Sequence, residues 1–252
     1  MRKNAFILSL LLFFFVITAN AARVDRISIP SRANNMEVKT IVLVPDAALG
    51  KDAVRCPVVY LLHGFSGNEN DWINSKKNLP EIVDEKGIII VCPDGKNSWY
   101  LNSPIDAQNQ YETFISSELI DYIDKNYSTI TDRYSRAITG LSMGGHGALY
   151  NAFKHPDVFG AVGAMSGAID ILGDGDNFGL INKLPSMQGS APYWGDHSVI
   201  AQAMKNVKNK ELAISFECGI SDFCFFYNEQ LHKVLVEKKI DHDYTVRPGE
   251  HT

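Results

Sequence analysis

Apolar positions along this 252-residue chain change period several times, and the changes mark the predicted elements. Val24 to Ile29 and Met36 to Pro45 alternate or run apolar around the turn-prone Ser31-Arg32-Ala33-Asn34-Asn35, which predicts an antiparallel hairpin at a sheet edge. Pro57 to Gly64, Gly87 to Gly95 and Phe159 to Ser166 read as strands, and the first two are apolar enough to be buried on both faces. Leu79 to Lys86 predicts a short helix, while Ile115, Leu119, Tyr122 and Ile123 fall on one face of a longer one running to about Asn126. A strand at Glu211 to Gly219, a helix marked by Tyr227, Leu231, Val234 and Leu235, and a strand at Tyr244 to Arg247 close the series. Residues 167–198 break this rhythm with a glycine- and proline-rich stretch, which reads as the rim of a site rather than a linker. Strands alternating with helices imply one α/β domain, its mainly parallel sheet covered on both faces and its chemistry at the carboxyl ends of the strands.

One junction stands apart. The run Ala137-Ile138-Thr139 meets Gly140-Leu141-Ser142-Met143-Gly144, and helical spacing resumes at Ala148, Leu149, Ala152 and Phe153. This is strand, sharp turn, helix, with glycines two residues either side of the serine where the backbones leave no room for a β-carbon. A serine hydroxyl held there is strained and exposed, but it is a poor nucleophile until a neutral imidazole, oriented by a carboxylate, takes its proton. In this arrangement the acid follows the serine in the chain and the histidine comes last. Asp222, after the strand ending Glu217-Cys218-Gly219, is the expected acid; Glu217, Asp196 and Asp170 are the alternatives, and an ordinary helix N-terminal acid is its plainer reading. His251 follows Pro248-Gly249-Glu250 at the end of the last strand and is the expected base. His242 starts a strand, His232 lies in a helix, His155 ends one, His63 precedes the glycine of the oxyanion loop in a structural position, and His146 sits on the helix after the serine, pointing away from the acid. The backbone N–H groups of Met143 and Phe65 are the expected oxyanion donors.

The first residues change the picture of the mature chain. Arg2 and Lys3 precede an apolar run from Ala5 to Ala19, and Ala19-Asn20-Ala21 reads as a cleavage site, so residues 1–21 are expected to be an export signal rather than a membrane anchor. The domain is then 22–252, and losing two cations and no acid takes the net charge from −5 to −7. An acidic balance argues against nucleic acid or an anionic membrane as partner. Cys56, Cys92, Cys218 and Cys224 lack zinc spacing; Cys218 with Cys224 is the nearest pair, and buried thiols are the alternative. Asp174-Gly175-Asp176-Asn177 lacks the rest of a calcium loop and reads as a solvated turn, so neither metal nor cofactor is expected.

Taken together, Leu62-His63-Gly64-Phe65-Ser66-Gly67 with Trp72, Pro93-Asp94-Gly95 with Asn97-Ser98-Trp99-Tyr100, Gly140 to Gly145, His155-Pro156-Asp157-Val158-Phe159, Cys218-Gly219 with Asp222-Phe223, and Pro248 to Thr252 resemble the esterase D-like family of α/β-hydrolases. That family includes S-formylglutathione hydrolases, tributyrin esterases and the feruloyl and acetyl-xylan esterases of carbohydrate esterase family 1. The resemblance runs from about Val58 to Thr252 and gives Ser142, Asp222 and His251 the triad roles. Members continue past the histidine with a tryptophan and a closing helix, whereas this sequence stops at Thr252, so that helix is expected to be missing. The resemblance implies acyl-ester hydrolysis. Export points to ester-decorated plant polysaccharide or its oligosaccharides as partner, with Trp72, Trp99, Tyr100, Tyr193 and Trp194 as candidates to stack on a sugar or phenolic ring. An acyltransferase of the mycolyltransferase type, or a non-catalytic glycan-binding relative, are the competing readings.

Overall fold

The computed structural model describes residues 22–169, 177–184 and 195–251. The expected export signal, the turn around Asp174 to Asp176, Tyr193, Trp194 and Asp170 all lie outside them. Eight strands form one sheet in the order β1-β2-β4-β3-β5-β6-β7-β8: β1 Arg23–Ser31, β2 Met36–Val44, β3 Val58–Leu62, β4 Ile89–Pro93, β5 Arg136–Gly140, β6 Ala161–Met165, β7 Ala213–Gly219 and β8 Asp243–Arg247. The β1–β2 hairpin is antiparallel and joins the sheet through β2 against β4, whereas every pairing from β4 through β8 is parallel. Its turn is held from outside, because the Glu118 carboxylate accepts from the Ser31 hydroxyl at 2.6 Å and from the Arg32 and Ala33 amides at 3.0 Å.

Helices α1 (Asp71–Ser75) and α2 (Leu79–Lys86) cover one face of β2 to β4, where Ile41, Leu43, Leu61, Val83 and Ile90 form the smaller core. Helix α3 opens at Tyr111–Thr113, passes through a π-turn at Phe114–Glu118 and continues as Leu119–Asn126. Helices α4 (Met143–Lys154), α5 (Val199–Asn206) and α6 (Phe225–Glu237) follow. Every residue of α4 from Met143 to Phe153 is buried, so this helix is wrapped on all sides rather than amphipathic. The other face of β5 to β8 differs from expectation. There Ala137, Thr139, Ala161, Gly163, Ala213 and Ser215 stay half-buried or exposed among the described residues, so the cover on that side is confined to β2 to β4.

None of the described helices is long and apolar enough to cross a membrane. The four cysteines are all buried, and no disulfide forms between Cys218 and Cys224.

Buried polar groups tie helices to one another. The Glu112 carboxylate, on α3, receives Tyr150 Oη at 2.9 Å, Lys154 Nζ at 2.9 Å and His155 Nε2 at 3.0 Å from the end of α4. Burial alone would push this carboxyl up, but the donors from His155, Lys154 and Tyr150 outweigh it and hold it at about 2. A carboxyl depressed in the folded chain stabilises fully above its unfolded value and loses that contribution as pH falls toward 2. Replacing Glu112→Gln is therefore expected to cost about 1–3 kcal/mol at pH 7, read from urea midpoints, and to flatten the loss of stability between pH 4.5 and 2; an unchanged acid slope would refute this role.

Candidate active site

The turn after β5 puts Ser142 at φ 56° and ψ −116°, a left-handed conformation that a side chain adopts only under constraint. The constraint is close main-chain packing. A β-carbon at Gly140 would stand 2.5 Å from the Gly144 carbonyl, and one at Gly144 would stand 2.4 Å from Leu62 O. Neighbouring strands then lock the serine, as its N–H donates to Met165 O at 3.0 Å and its carbonyl accepts from Ala168 N at 3.1 Å and His146 N at 2.9 Å.

Two amides border this serine with their hydrogens unspent. Met143 is the first residue of α4, so its N–H has no acceptor within the helix. The Phe65 N–H likewise finds no partner among the described residues. The Phe65 loop runs beside the nucleophile, since a β-carbon at Gly64 would lie 3.6 Å from Ser142 Cβ. Asn97 braces that loop by accepting from Ser66 N at 2.7 Å, with Ser66 itself at φ 63°. The paired donors also sit at the positive end of the α4 dipole, where negative charge is favoured.

The acid and base come from the ends of β7 and β8. The sequence reading sets Asp222 at the opening of a helix, but α6 begins at Phe225 and Asp222 sits in the turn before it. Its carboxylate accepts the Cys224 N–H at 2.8 Å and faces His251 Nδ1 at 2.9 and 3.0 Å. Burial works against the ionised form, but hydrogen bonds from the Ser166 hydroxyl, the Cys224 amide and His251 prevail and keep the carboxyl below the usual aspartate range. The two turns are stitched together, with Ile220 N donating to Arg247 O and Ser221 N to Gly249 O, both at 2.9 Å. Gly219 is required here, since its β-carbon would meet Gly249 O at 2.5 Å. No hydrogen bond joins Ser142 Oγ to His251 among the described residues. In unliganded sites the nucleophile–base contact often tightens only when substrate arrives.

The alternatives are otherwise engaged. Glu217 pairs with Arg247 at 2.5 Å, and Asp196 pairs with Lys205. His146 is buried between the Trp99 and His197 carbonyls, and burial drives its imidazole down to about 4. His63 Nδ1 bonds Gly64 O at 2.7 Å and its Nε2 accepts from Gly95 N at 2.8 Å, with Asp94 3.7 Å away, so both ring nitrogens are engaged. His232 and His242 contact each other at 2.8 Å at the opposite end of β8. Among the described residues one group could offer metal ligands together, Asp222, Cys224 and His251 within 4.8 Å, and two of these already bond each other.

The aromatic candidates divide differently from the sequence expectation. Trp99 and Tyr100 are buried and cannot stack on a substrate; the Tyr100 ring fills the space that Gly95 and Gly147 leave, and its hydroxyl donates to His63 O at 3.1 Å. Trp72, on α1, is half-buried and packs on the smaller core. Among the described residues, Phe178 and Phe223 reach solvent beside the site, and periodicity gave no pointer to them.

The Esterase family model matches residues 31–252. An acetyl esterase from Caldicellulosiruptor saccharolyticus is 28% identical over 223 residues, covering 82% of each chain. A solved ferulic acid esterase superposes with a TM-score of 0.77 at 28% identity over 92% of both chains. The MPT51/MPB51 antigen of Mycobacterium bovis is 33% identical over 153 residues, 60% of this chain and 47% of the antigen.

Adding one methyl group tests the packing at the turn. Gly144→Ala is expected to lower stability by about 1–3 kcal/mol and to reduce ester turnover more than the unfolding midpoint alone explains; wild-type turnover in a folded variant would contradict the close packing.

Proposed function

Because this chain belongs to the Esterase family, its fold an α/β-hydrolase, we propose that it is an exported serine esterase cleaving feruloyl or acetyl groups from plant cell-wall polysaccharide or its oligosaccharides. The observation that carries the reading is the Asp222–His251 pair at 2.9 Å, at the same sheet edge as the strained Ser142 with its two unspent amides. In this reading His251 Nε2 takes the Ser142 proton as Oγ attacks the acyl carbon, while Nδ1–H stays on the Asp222 carboxylate. The oxyanion that forms is held by the Phe65 and Met143 amides, each such donor contributing about 2.7–4 kcal/mol to the transition state. Collapse returns the proton to the leaving alkoxide and leaves an acyl-serine, which water, activated by the same imidazole, then hydrolyses. The acetyl esterase and ferulic acid esterase relatives support the two acyl groups, and the apolar run after Arg2-Lys3 supports export.

Transfer to a sugar hydroxyl would use the same groups with a different acceptor, so a sugar acceptor belongs in the assay.

Ser142→Ala is expected to lower hydrolysis of methyl ferulate and 4-nitrophenyl acetate by about 10⁴-fold or more with the fold intact by circular dichroism. Full turnover in that variant would remove the mechanism, and acyl transfer outpacing hydrolysis when a sugar acceptor is added would replace hydrolase by transferase. Asp222→Asn is expected to lower kcat by about 10⁴-fold, because the amide no longer favours the Nδ1–H tautomer; a loss under tenfold would point to a different acid.

A further inference from the structure

We propose that His232 and His242 form a two-imidazole site for zinc or a similar divalent transition metal, which ties α6 to the start of β8. His232 Nδ1 lies 2.8 Å from His242 Nε2, while His242 Nδ1 lies 2.7 Å from Ile240 O. A carbonyl can only accept, so His242 carries its proton on Nδ1 and turns the Nε2 lone pair toward its neighbour; the proton between the two rings then sits on His232 Nδ1. A metal-ligating histidine is oriented in the same way, with its second ring nitrogen spent on a carbonyl or carboxylate.

Both rings are supported from the side. His242 stacks on Phe216 at 5.9 Å and 15°, and His232 lies over Tyr244 at 5.0 Å and 31°. A tetrahedral zinc ion holding two ring nitrogens at about 2.0–2.1 Å sets them about 3.3 Å apart, so the rings part by only about half an ångström. The exchange balances within the pair: His232 moves its proton from Nδ1 to Nε2, the ion takes the two facing lone pairs, and its own waters fill the remaining positions. Imidazole nitrogen suits zinc, copper or nickel, whereas magnesium and calcium take oxygen.

The pair is also reachable. It lines an open cleft of about 800 Å³ against β6 and β7, bordered as well by Asp241, Asp243 and Lys210. Two carboxylates flank His242 in the chain against one ammonium across the cleft, a balance that favours a cation. Helix α6 follows Asp222 and β8 leads to His251, so an ion here fastens together the two elements that carry the acid and the base. The site stands independently of the esterase reading.

Chelator-treated protein is titrated with zinc chloride and followed by thermal unfolding. Zinc at a hundredfold excess over its Kd is expected to raise Tm by roughly 5–10 °C and magnesium to leave it unchanged. His232→Ala and His242→Ala are each expected to remove the zinc shift, and His251→Ala to keep it. An unmoved wild-type Tm, or a shift that survives both of the first two substitutions, overturns the site; so does a shift that vanishes in His251→Ala, which places the ion at Asp222, Cys224 and His251 instead. Should either variant fail to fold, labelling of wild-type protein by diethyl pyrocarbonate decides. Zinc that shields His232 and His242 supports the site, and equal labelling with and without zinc refutes it.

Discussion

At Gly140 and Gly144 main chain packs directly on main chain, and the rest of the site depends on that contact. The carbonyls of Leu62 and His63 occupy the volume a β-carbon at Gly144 would need, which draws β3, the turn and the start of α4 to the smallest separation that backbone atoms allow. Three consequences follow from this one approach. Ser142 is forced to a positive φ, the Met143 amide is presented at a helix N-terminus without an acceptor, and the loop after β3 passes close enough for Gly64 to border the serine. The conformational strain at Ser142 is of order 1–3 kcal/mol, and the many hydrogen bonds to Met165, Ala168 and His146 over-determine the turn against it.

The acid–base half of the site is assembled by the same device on the neighbouring strands. Gly219 lets the turn after β7 touch the turn after β8, and amide-to-carbonyl bonds register Asp222 against His251. A buried carboxylate is costly unless it is hydrogen-bonded, and Asp222 is surrounded by donors that hold it ionised. Glu112 solves the same problem with Tyr150, Lys154 and His155 at the far end of α4. Helix α4 is thus fixed at one end by backbone contact and at the other by a buried ionic cluster, which leaves little freedom for the nucleophile to drift from its partners.

How much of this is legible in the sequence follows from how local each cause is. Apolar or alternating runs placed every strand, because β3 and β4 are buried along their length and leave a continuous signature while strands open on one face leave a period-two one, and the turn at Ser142 was legible because a glycine must stand two residues to either side of the serine. Asp222 and His251 were found by chain order and strand ends rather than by any local mark. The π-turn in α3 left no trace in the spacing of Ile115, Leu119, Tyr122 and Ile123. Cys218 and Cys224 are close in sequence, yet β7 ends and a turn intervenes between them, so adjacency did not translate into a bond. The open face of β5 to β8 was equally hidden, since residues such as Ala161 and Ser215 read the same beneath a helix or beside solvent.

The aromatic residues show where sequence reasoning about loops fails, and why. Trp99, Tyr100, Phe178 and Phe223 all lie near strand ends on irregular chain, and nothing in their order says which rings go under the loops and which go over. Tyr100 goes under because Gly95 and Gly147 vacate a slot of its shape, and Trp99 because its indole N–H finds Phe178 O across nearly eighty residues of chain. Those buried rings in turn dictate the exposed ones, since the turn that Trp99 fixes is the turn that raises Phe178. The groups suited to break an ester bond are therefore set by backbone packing that tolerates no side chain, whereas the surface around them is set by side chains on turns. Substitutions at the second level can alter which ester fits while leaving the first undisturbed, a division of constraint that lets one fold serve esters of different size and polarity.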